Sequence, residues 1–131
     1  RAVELVHAAA SAGADAIKLQ LFDPRFLLSN QSRLAVYQET SATDVFAMLD
    51  GLKLDLDDML AVRAAARKSG VAFFVTPFSL ENFDALKQLD VDAVKIASPD
   101  AVNRPLLELT AALGRPMIVS TGSTALRKAW S

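Results

Sequence analysis

The stretch VAFFVTPFSLENFDALKQLDVDAVKIAS, residues 71–98, decides the fold. An apolar strand pattern from Val71 to Thr76 is followed by a helix pattern from Ser79 to Leu89, for which Ser79 is the predicted cap. A second strand pattern then runs from Ala93 to Ala97. Strands that alternate with single helices at this spacing lie parallel and are joined by right-handed crossovers. The stretch therefore predicts part of a (β/α)8 barrel or of an open doubly wound sheet.

The same alternation continues on both sides of this stretch. Upstream, the pattern predicts a helix that stops at Gly13, a strand at 14–22, a short helix near 44–49 and a firmer helix at 55–69 that Gly70 ends. Downstream, it predicts a helix at 104–113 with Pro105 in its first position, a strand at 116–121 and another helix from Thr124. Residues 23–43 have no clear period, and a connection of that length is usually functional or disordered. Four parallel strands with intervening helices make up half of a TIM barrel, so we expect a fragment of a longer catalytic domain.

Composition excludes several classes of function. The 131 residues carry 14 basic and 15 acidic side chains, a net charge of −1, which gives nothing to attract nucleic acid or an anionic membrane. No cysteine is present, so disulfides, thiolate catalysis and cysteine-bound metals are excluded, and the single histidine rules out a His-rich metal site in this chain. With no long apolar run and no signal-like amino end, we expect a cytoplasmic protein.

Polar side chains fall late on one face of each predicted strand. In a barrel, alternate strand residues point inward and the chemistry lies at the carboxyl ends of the strands. This face carries two cations and several groups that can donate hydrogen bonds: Lys18, Gln20, Thr76, Lys95 and Ser120. Ser98 and Thr121, at the ends of the last two strands, add two more hydroxyl donors. Because no carboxylate lies on the strands to neutralise the two lysines, they call for an anionic ligand that carries phosphate or carboxylate. The alternative is that both lysines extend outward to water or pair with acids elsewhere.

Other candidates have plainer interpretations. His7 is predicted to lie at the surface or in helix packing, and Asp55, Asp57 and Asp58 favour a helix start, where acids complement the macrodipole. Tyr37 and Gln38, in the long loop, are equally consistent with a substrate lid and with ordinary packing.

Six short motifs resemble the N-acetylneuraminate (sialic acid) synthase family in order and spacing. They are Gly13–Gln20, Tyr37-Gln38, Thr76-Pro77-Phe78, Lys95–Ser98, Asn103–Leu107 and Ser120-Thr121-Gly122. The resemblance covers nearly the whole chain. It implies a TIM-barrel catalytic domain that condenses phosphoenolpyruvate with an N-acylated amino sugar, giving a nonulosonic acid and phosphate with the help of Mn²⁺ or Mg²⁺.

The resemblance also assigns roles to residues. Lys18 and Lys95 would bind the carboxylate and phosphate of phosphoenolpyruvate, aided by Thr76, Ser98 and Ser120. Gln20 would reach the acceptor sugar or the enolpyruvyl end, and Tyr37 and Gln38 would belong to a loop that closes over the site. We expect a homodimer for the full-length protein, although the sequence does not fix the oligomeric state.

The chain departs from the family pattern in two ways. Pro99 stands where the family commonly has glycine, which removes one backbone N–H donor. The family's first strand with its glutamate, the later strands with the metal-binding histidines and the antifreeze-like domain are not in these 131 residues. We therefore expect the metal ligands to lie outside this chain and the chain alone to lack synthase activity.

Two rival functions remain open at this point. A Schiff-base (class I) aldolase on the same barrel would use Lys18 or Lys95 as its amine nucleophile. A barrel half that serves as a non-catalytic assembly module would need no ligand at all. The sequence also leaves open which amino sugar is used: N-acetylmannosamine, its 6-phosphate, or the sugars of the legionaminic and pseudaminic acid pathways.

Overall fold

The sheet forms where the apolar strand patterns lie, and helices cover one of its faces. The structure, a computed structural model, describes residues 1–28 and 42–122. In this part of the chain, four strands form one parallel sheet in which each strand pairs with the next along the sequence. The strands are β1 (Ala16–Leu21), β2 (Ala72–Pro77), β3 (Ala93–Ile96) and β4 (Met117–Val119). The predicted strand-helix alternation is thereby confirmed.

The described residues form six helices, the first before β1 and the others between the strands. They are α1 (Ala2–Ser11), α2 (Pro24–Leu28), α3 (Ala42–Leu52), α4 (Leu56–Lys68), α5 (Phe83–Leu89) and α6 (Arg104–Ala112), with single 3-10 turns at Leu80–Asn82 and Ser98–Asp100. None of them combines the length and apolarity that a membrane crossing requires.

Helix α4 shows how local sequence sets these bounds. The Asp55 side chain accepts a hydrogen bond from the backbone N–H of Asp58 at 2.7 Å and so caps the amino end, as acids at a helix start commonly do. Apolar residues at helical spacing turn one side toward the core, where Met59 and Val62 are buried. Gly70 follows the helix with φ +71°, a left-handed conformation that glycine adopts without strain. The predicted helix and its predicted acidic start are both confirmed.

The core lies between the helices and what we call the outer face of the sheet. Phe73 and Val75 of β2 and Val94 and Ile96 of β3 are 0–1% exposed, and they meet the buried side chains of α1, α4 and α5. Burying side chains of this size contributes about 1.5–3 kcal/mol each. The outer face therefore carries the apolar packing. We call the opposite face of the sheet the inner face.

Several predicted boundaries were wrong. Residues 24–28 form α2 inside the segment predicted as loop, and α3 extends the predicted short helix in both directions. Strand β4 pairs over only three residues rather than six, and Pro105 is the second residue of α6, after Arg104. Ser79 does not cap a helix through its side chain, because its hydroxyl donates to Asn82 Oδ1 at 2.8 Å and a 3-10 turn precedes α5.

Candidate functional site

Two lysines lie on the inner face of the sheet. Lys18 on β1 pairs with Phe74 on β2, which in turn pairs with Ala93 on β3. Lys95 stands two residues further along β3, beside Ile118 of β4. Lys18 is exposed and Lys95 is half-buried. From ordinary strand spacing, their Cα atoms are about 12 Å apart, so the two long side chains can reach one ligand placed between them.

No acid neutralises either lysine in the described part of the chain. The ion pairs there involve other cations, and the inner-face positions of the four strands hold no carboxylate. Two unpaired ammonium groups create a positive potential on this face, and a ligand with negative charge at two points would complement it. The structure therefore places the two lysines as the sequence predicts, and their ligand remains a prediction.

Thr76 adds a buried hydroxyl to the same face. In the register of β1 with β2, Thr76 pairs with Gln20. The Thr76 side chain is 1% exposed, and its Oγ1 has no hydrogen-bond partner within the described residues. A buried hydroxyl without a partner costs about 1–3 kcal/mol, so this donor is suited to a ligand oxygen.

Ser98 and Ser120 lie at the carboxyl ends of neighbouring strands. Ser98 opens the 3-10 turn that follows β3, and Ser120 follows β4, with its backbone N–H bonded to Ile96 O at 3.1 Å. Both serines are half-buried. Pro99 is accommodated because the early positions of such a turn do not need its missing N–H. The two predicted serines therefore lie at the same edge of the sheet, the carboxyl-end edge where barrel chemistry is found.

Gln20 lines a cavity of about 620 Å³ at the side of β1. One wall comes from β1 and the residue after it, and the other comes from α3 and the segment that follows α3. The lining residues are Lys18, Leu19, Gln20, Phe22, Leu49, Leu52, Leu54 and Phe78. The cavity runs along the edge of β1 that pairs with no strand in the described residues, and a closed TIM barrel has a neighbouring strand at that edge.

Asp23 is a functional candidate that the sequence analysis missed. It lies just past the end of β1, is 8% exposed, and pairs with both Arg25 and Lys53. Hydrogen bonding from the Arg25 side chain holds the pKa of Asp23 far below its usual range, and Lys53 acts in the same direction. The sequence signal was present in Asp23-Pro24, since an acid before proline is typical of a helix start.

Asp100 is a second missed acid. It is 7% exposed in the turn after β3, two residues from Ser98, and its Oδ1 accepts a hydrogen bond from Asn103 Nδ2 at 3.2 Å. Asn103 in turn caps α6 by accepting from Leu106 N at 3.4 Å. An acid directly after a strand that ends in Lys and Ser could have been marked as a strand-end candidate. A carboxylate here can accept hydrogen bonds from hydroxyl groups of a ligand.

The remaining predicted features are the residues of the long loop, the metal ion and His7. Tyr37 and Gln38 lie outside the described residues. No group of three or more acidic or histidine side chains within residues 1–28 and 42–122 could hold a metal ion, so these residues do not fit the divalent ion that the resemblance implies. His7 is exposed on α1, in agreement with its predicted surface role.

Comparison with known proteins decides the family. The model of the NeuB family matches residues 5–130. The chain belongs to the NeuB family. Its relatives within the family include the N,N'-diacetyllegionaminic acid synthases of Campylobacter jejuni, 37% identical over 128 residues, and of Legionella pneumophila, 35% identical over 130 residues. The matches cover 95% and 97% of this chain but 38% and 36% of those synthases, so the chain spans little more than a third of their length.

A solved structure in the same family has the same fold. The N-acetylneuraminic acid synthetase of Leptospira borgpetersenii, in complex with citrate, superposes with a TM-score of 0.81 at 27% identity. The match covers 98% of this chain and 41% of that synthetase. The four parallel strands with their helices are therefore part of a TIM barrel, and the predicted fold class and family resemblance are both confirmed. In family and fold, the chain is therefore similar to nonulosonic acid synthases.

Proposed function

We propose that the protein that carries this chain condenses phosphoenolpyruvate with an N-acylated amino sugar and releases inorganic phosphate. The observation that carries the proposal is the pair of inner-face lysines without a carboxylate partner in the described residues. Phosphoenolpyruvate bears a carboxylate and a phosphate, so its two anionic groups match two separated cations. The names of the related synthases support a nonulosonic acid as the product, and the citrate bound to the Leptospira synthetase supports a small polyanion as a ligand.

Each inner-face residue has a part in this proposal. Lys18 and Lys95 bind the carboxylate and the phosphate, while the hydroxyls of Thr76, Ser98 and Ser120 donate to their oxygens. Gln20 lies one strand repeat beyond Lys18 and reaches the acceptor sugar or the enolpyruvyl end. The lysines stabilise negative charge and form no covalent bond, since their role is electrostatic.

The proposed reaction forms one carbon–carbon bond and, at C2, replaces the carbon–oxygen bond to phosphate with a carbon–oxygen bond to water's oxygen. C3 of the enolpyruvyl group attacks the aldehyde carbon of the open-chain sugar, and the aldehyde oxygen gains a proton. Water adds at C2, and the C2–O bond to phosphate then breaks to leave a keto group and inorganic phosphate. Water supplies the keto oxygen and the protons, so no oxidant or reductant is needed. Throughout, the chain's cations hold the leaving phosphate and the carboxylate in place.

The divalent ion is assigned to other parts of the longer protein. We propose that residues outside this chain bind it, because the described residues offer no cluster of ligands. The ion would supply Lewis-acid polarisation of the sugar aldehyde. The chain's own contribution is then to bind and orient the anionic donor.

The full-length protein tests this proposal. It would be incubated with phosphoenolpyruvate, Mn²⁺ and a panel of N-acetylmannosamine, its 6-phosphate and the diacetamido sugars, with phosphate release and product mass measured. We expect phosphate release that depends on one of these sugars and is lost in Lys18→Met and Lys95→Met. Lys68→Met is the matched control, because Lys68 is an exposed lysine on α4, away from the inner face.

Two results would favour the rival functions instead. A covalent adduct on Lys18 or Lys95 after borohydride treatment with a carbonyl substrate would indicate a Schiff-base aldolase. Equal melting temperatures with and without phosphoenolpyruvate would indicate a module that binds no such ligand.

A further inference from the structure

Three arginines surround one acid at the amino ends of the strands, and we call these four residues the arginine cluster. Asp90, directly after α5, accepts hydrogen bonds from Arg63 and Arg67 of α4 at 2.5 and 2.7 Å. It accepts another from Arg115, in the turn before β4, at 2.5 Å. Within residues 1–28 and 42–122, the three arginines form ion pairs with no other acid. Three positive charges and one negative charge therefore leave the cluster with a net charge of +2.

The guanidinium groups keep donors that Asp90 does not use. A guanidinium carries five N–H donors, and each of these three gives one to Asp90 in the described part of the chain. The Arg67 and Arg115 side chains are 51% and 46% exposed, so a dissolved ligand can reach them. Arg63 is less exposed, and its Nε is buried without a hydrogen-bond partner among the described residues. The cluster therefore has both the charge and the donors to hold a second anion beside Asp90.

A small cavity lies beside the arginine cluster, between the end of α5 and the turn that joins α6 to β4. Its volume is about 140 Å³, and its lining residues are Leu86, Lys87, Asp90, Val91, Leu113 and Arg115. Sites for whole small molecules usually measure about 300–1,000 Å³, so this cavity suits a single anionic group. The cavity lies at the start of β3, which pairs with a strand on each side, so it does not depend on an open edge of the sheet.

We propose that the arginine cluster is a binding site for a phosphate group, which Arg67 and Arg115 hold beside Asp90. A phosphate dianion carries the two negative charges that balance the excess of the cluster. Guanidinium groups also match phosphate oxygens with paired N–H donors. The site is at the opposite edge of the sheet from Ser98 and Ser120, so the inference does not depend on the proposed function. Inorganic phosphate and the phosphoryl group of a phosphate monoester share this chemistry.

The experiment uses the full-length protein with Lys18→Met and Lys95→Met as its background. These two changes remove the inner-face cations, so that phosphate bound there does not enter the measurement. Inorganic phosphate would be titrated while the melting temperature and the heat of binding are measured, with potassium chloride at equal ionic strength as the reference. We expect phosphate to raise the melting temperature more than chloride does, because a ligand that binds the folded state stabilises it.

Arginine variants in the same background locate the bound phosphate. Arg67→Gln and Arg115→Gln should each weaken phosphate binding about tenfold, because each removes a charge-assisted hydrogen bond. Arg104→Gln is the matched control, since the Arg104 side chain is 86% exposed on α6 and pairs with Glu108. That variant should bind phosphate as the background does.

Asp90→Asn gives a change in the opposite direction. Without the carboxylate the three guanidinium groups carry a charge of +3, so phosphate should bind about tenfold more tightly. Phosphate should also restore melting temperature that this variant loses in chloride, since it takes over the role of the missing charge. Asp84→Asn, which removes an exposed acid that pairs with Lys87, should leave phosphate binding unchanged.

Glycerol 3-phosphate as a second probe separates the two sources of the phosphate group. Binding of both probes would support a site open to phosphate monoesters, and binding of inorganic phosphate alone would support a site for the free ion. Equal effects of phosphate and chloride on the melting temperature would overturn the inference. Phosphate binding that is the same in Arg67→Gln, Arg115→Gln and the background would overturn it as well. Absence of synthase activity in the wild-type protein would count against the proposed function only.

Discussion

Charged side chains gather at two places in this molecule, and their surroundings differ. At the amino ends of the strands, Asp90 accepts hydrogen bonds from Arg63, Arg67 and Arg115 at 2.5–2.7 Å. These ion pairs connect α4 and the turn before β4 to the carboxyl end of α5. On the inner face, Lys18 and Lys95 have no acid beside them in the described part of the chain.

Under the proposed function, the difference separates charge that serves the fold from charge that serves a ligand. A cation that only stabilises the fold is best placed beside an acid, because the pair lowers the cost of removing both charges from water. Lys18 and Lys95 have no such acid in the described part of the chain, and the proposed function supplies an anionic ligand in its place. Variants that remove one group or the other test whether the two groups have these separate roles.

The largest effect is expected for Lys95→Met in the full-length protein. Methionine keeps the side-chain volume and removes the charge, so kcat/KM should fall about a thousandfold, equivalent to about 4 kcal/mol of transition-state stabilisation. The melting temperature should stay the same or rise, since a half-buried unpaired cation is removed. Steady-state kinetics and thermal unfolding measure the two effects. Retained activity together with a lower melting temperature would contradict the comparison.

A smaller effect on kinetics is expected for Thr76→Val, which removes a buried hydroxyl group instead of a charge. Valine has the same shape but no donor, so the ligand-free protein should become about 1 kcal/mol more stable. The KM for phosphoenolpyruvate should rise about tenfold, because a hydrogen bond to an anionic oxygen is lost. Thr76→Ser, which keeps the hydroxyl, is the control and should retain most of the affinity. A stability loss with unchanged KM would instead make Thr76 a packing residue.

Asp90→Asn tests the paired group and should affect stability alone. The amide has no charge to balance the three guanidinium groups, so the melting temperature should fall while kcat/KM of the folded protein stays at its wild-type value. Asp84→Asn is a matched control, because Asp84 is 83% exposed and pairs only with Lys87 within the described residues. That variant should change the melting temperature little. A loss of kcat/KM in Asp90→Asn would show that the two groups of charges do not have separate roles.

The sequence reveals one of these groups more readily than the other. Period-two alternation places Lys18 and Lys95 on one face, and late strand positions place Ser98 and Ser120 at one edge, so the predicted site needed only local patterns. The Asp90 cluster draws on three segments, and only the i,i+4 spacing of Arg63 and Arg67 is visible along the chain. Asp23 was missed for the same reason, because its partner Lys53 is brought near by the return of α3. Contacts between distant segments follow from the packed fold and leave no periodic signal.

The smallest expected effect is a change of stability with pH, which tests whether the negative charge of Asp90 stabilises the fold. Hydrogen bonds from Arg67 and Arg63 lower the pKa of Asp90 below its ordinary value of 3.8. A carboxyl with a lowered pKa in the folded state contributes stability above its unfolded pKa, and that contribution is lost as the pH falls through the folded value. The difference in melting temperature between wild type and Asp90→Asn should therefore be constant from about pH 5 to 7 and shrink below about pH 4. Added salt should reduce the difference at neutral pH, since the Asp90 side chain is 42% exposed. A difference that persists unchanged into acid would mean that the carboxylate's charge is not what holds the three arginines together.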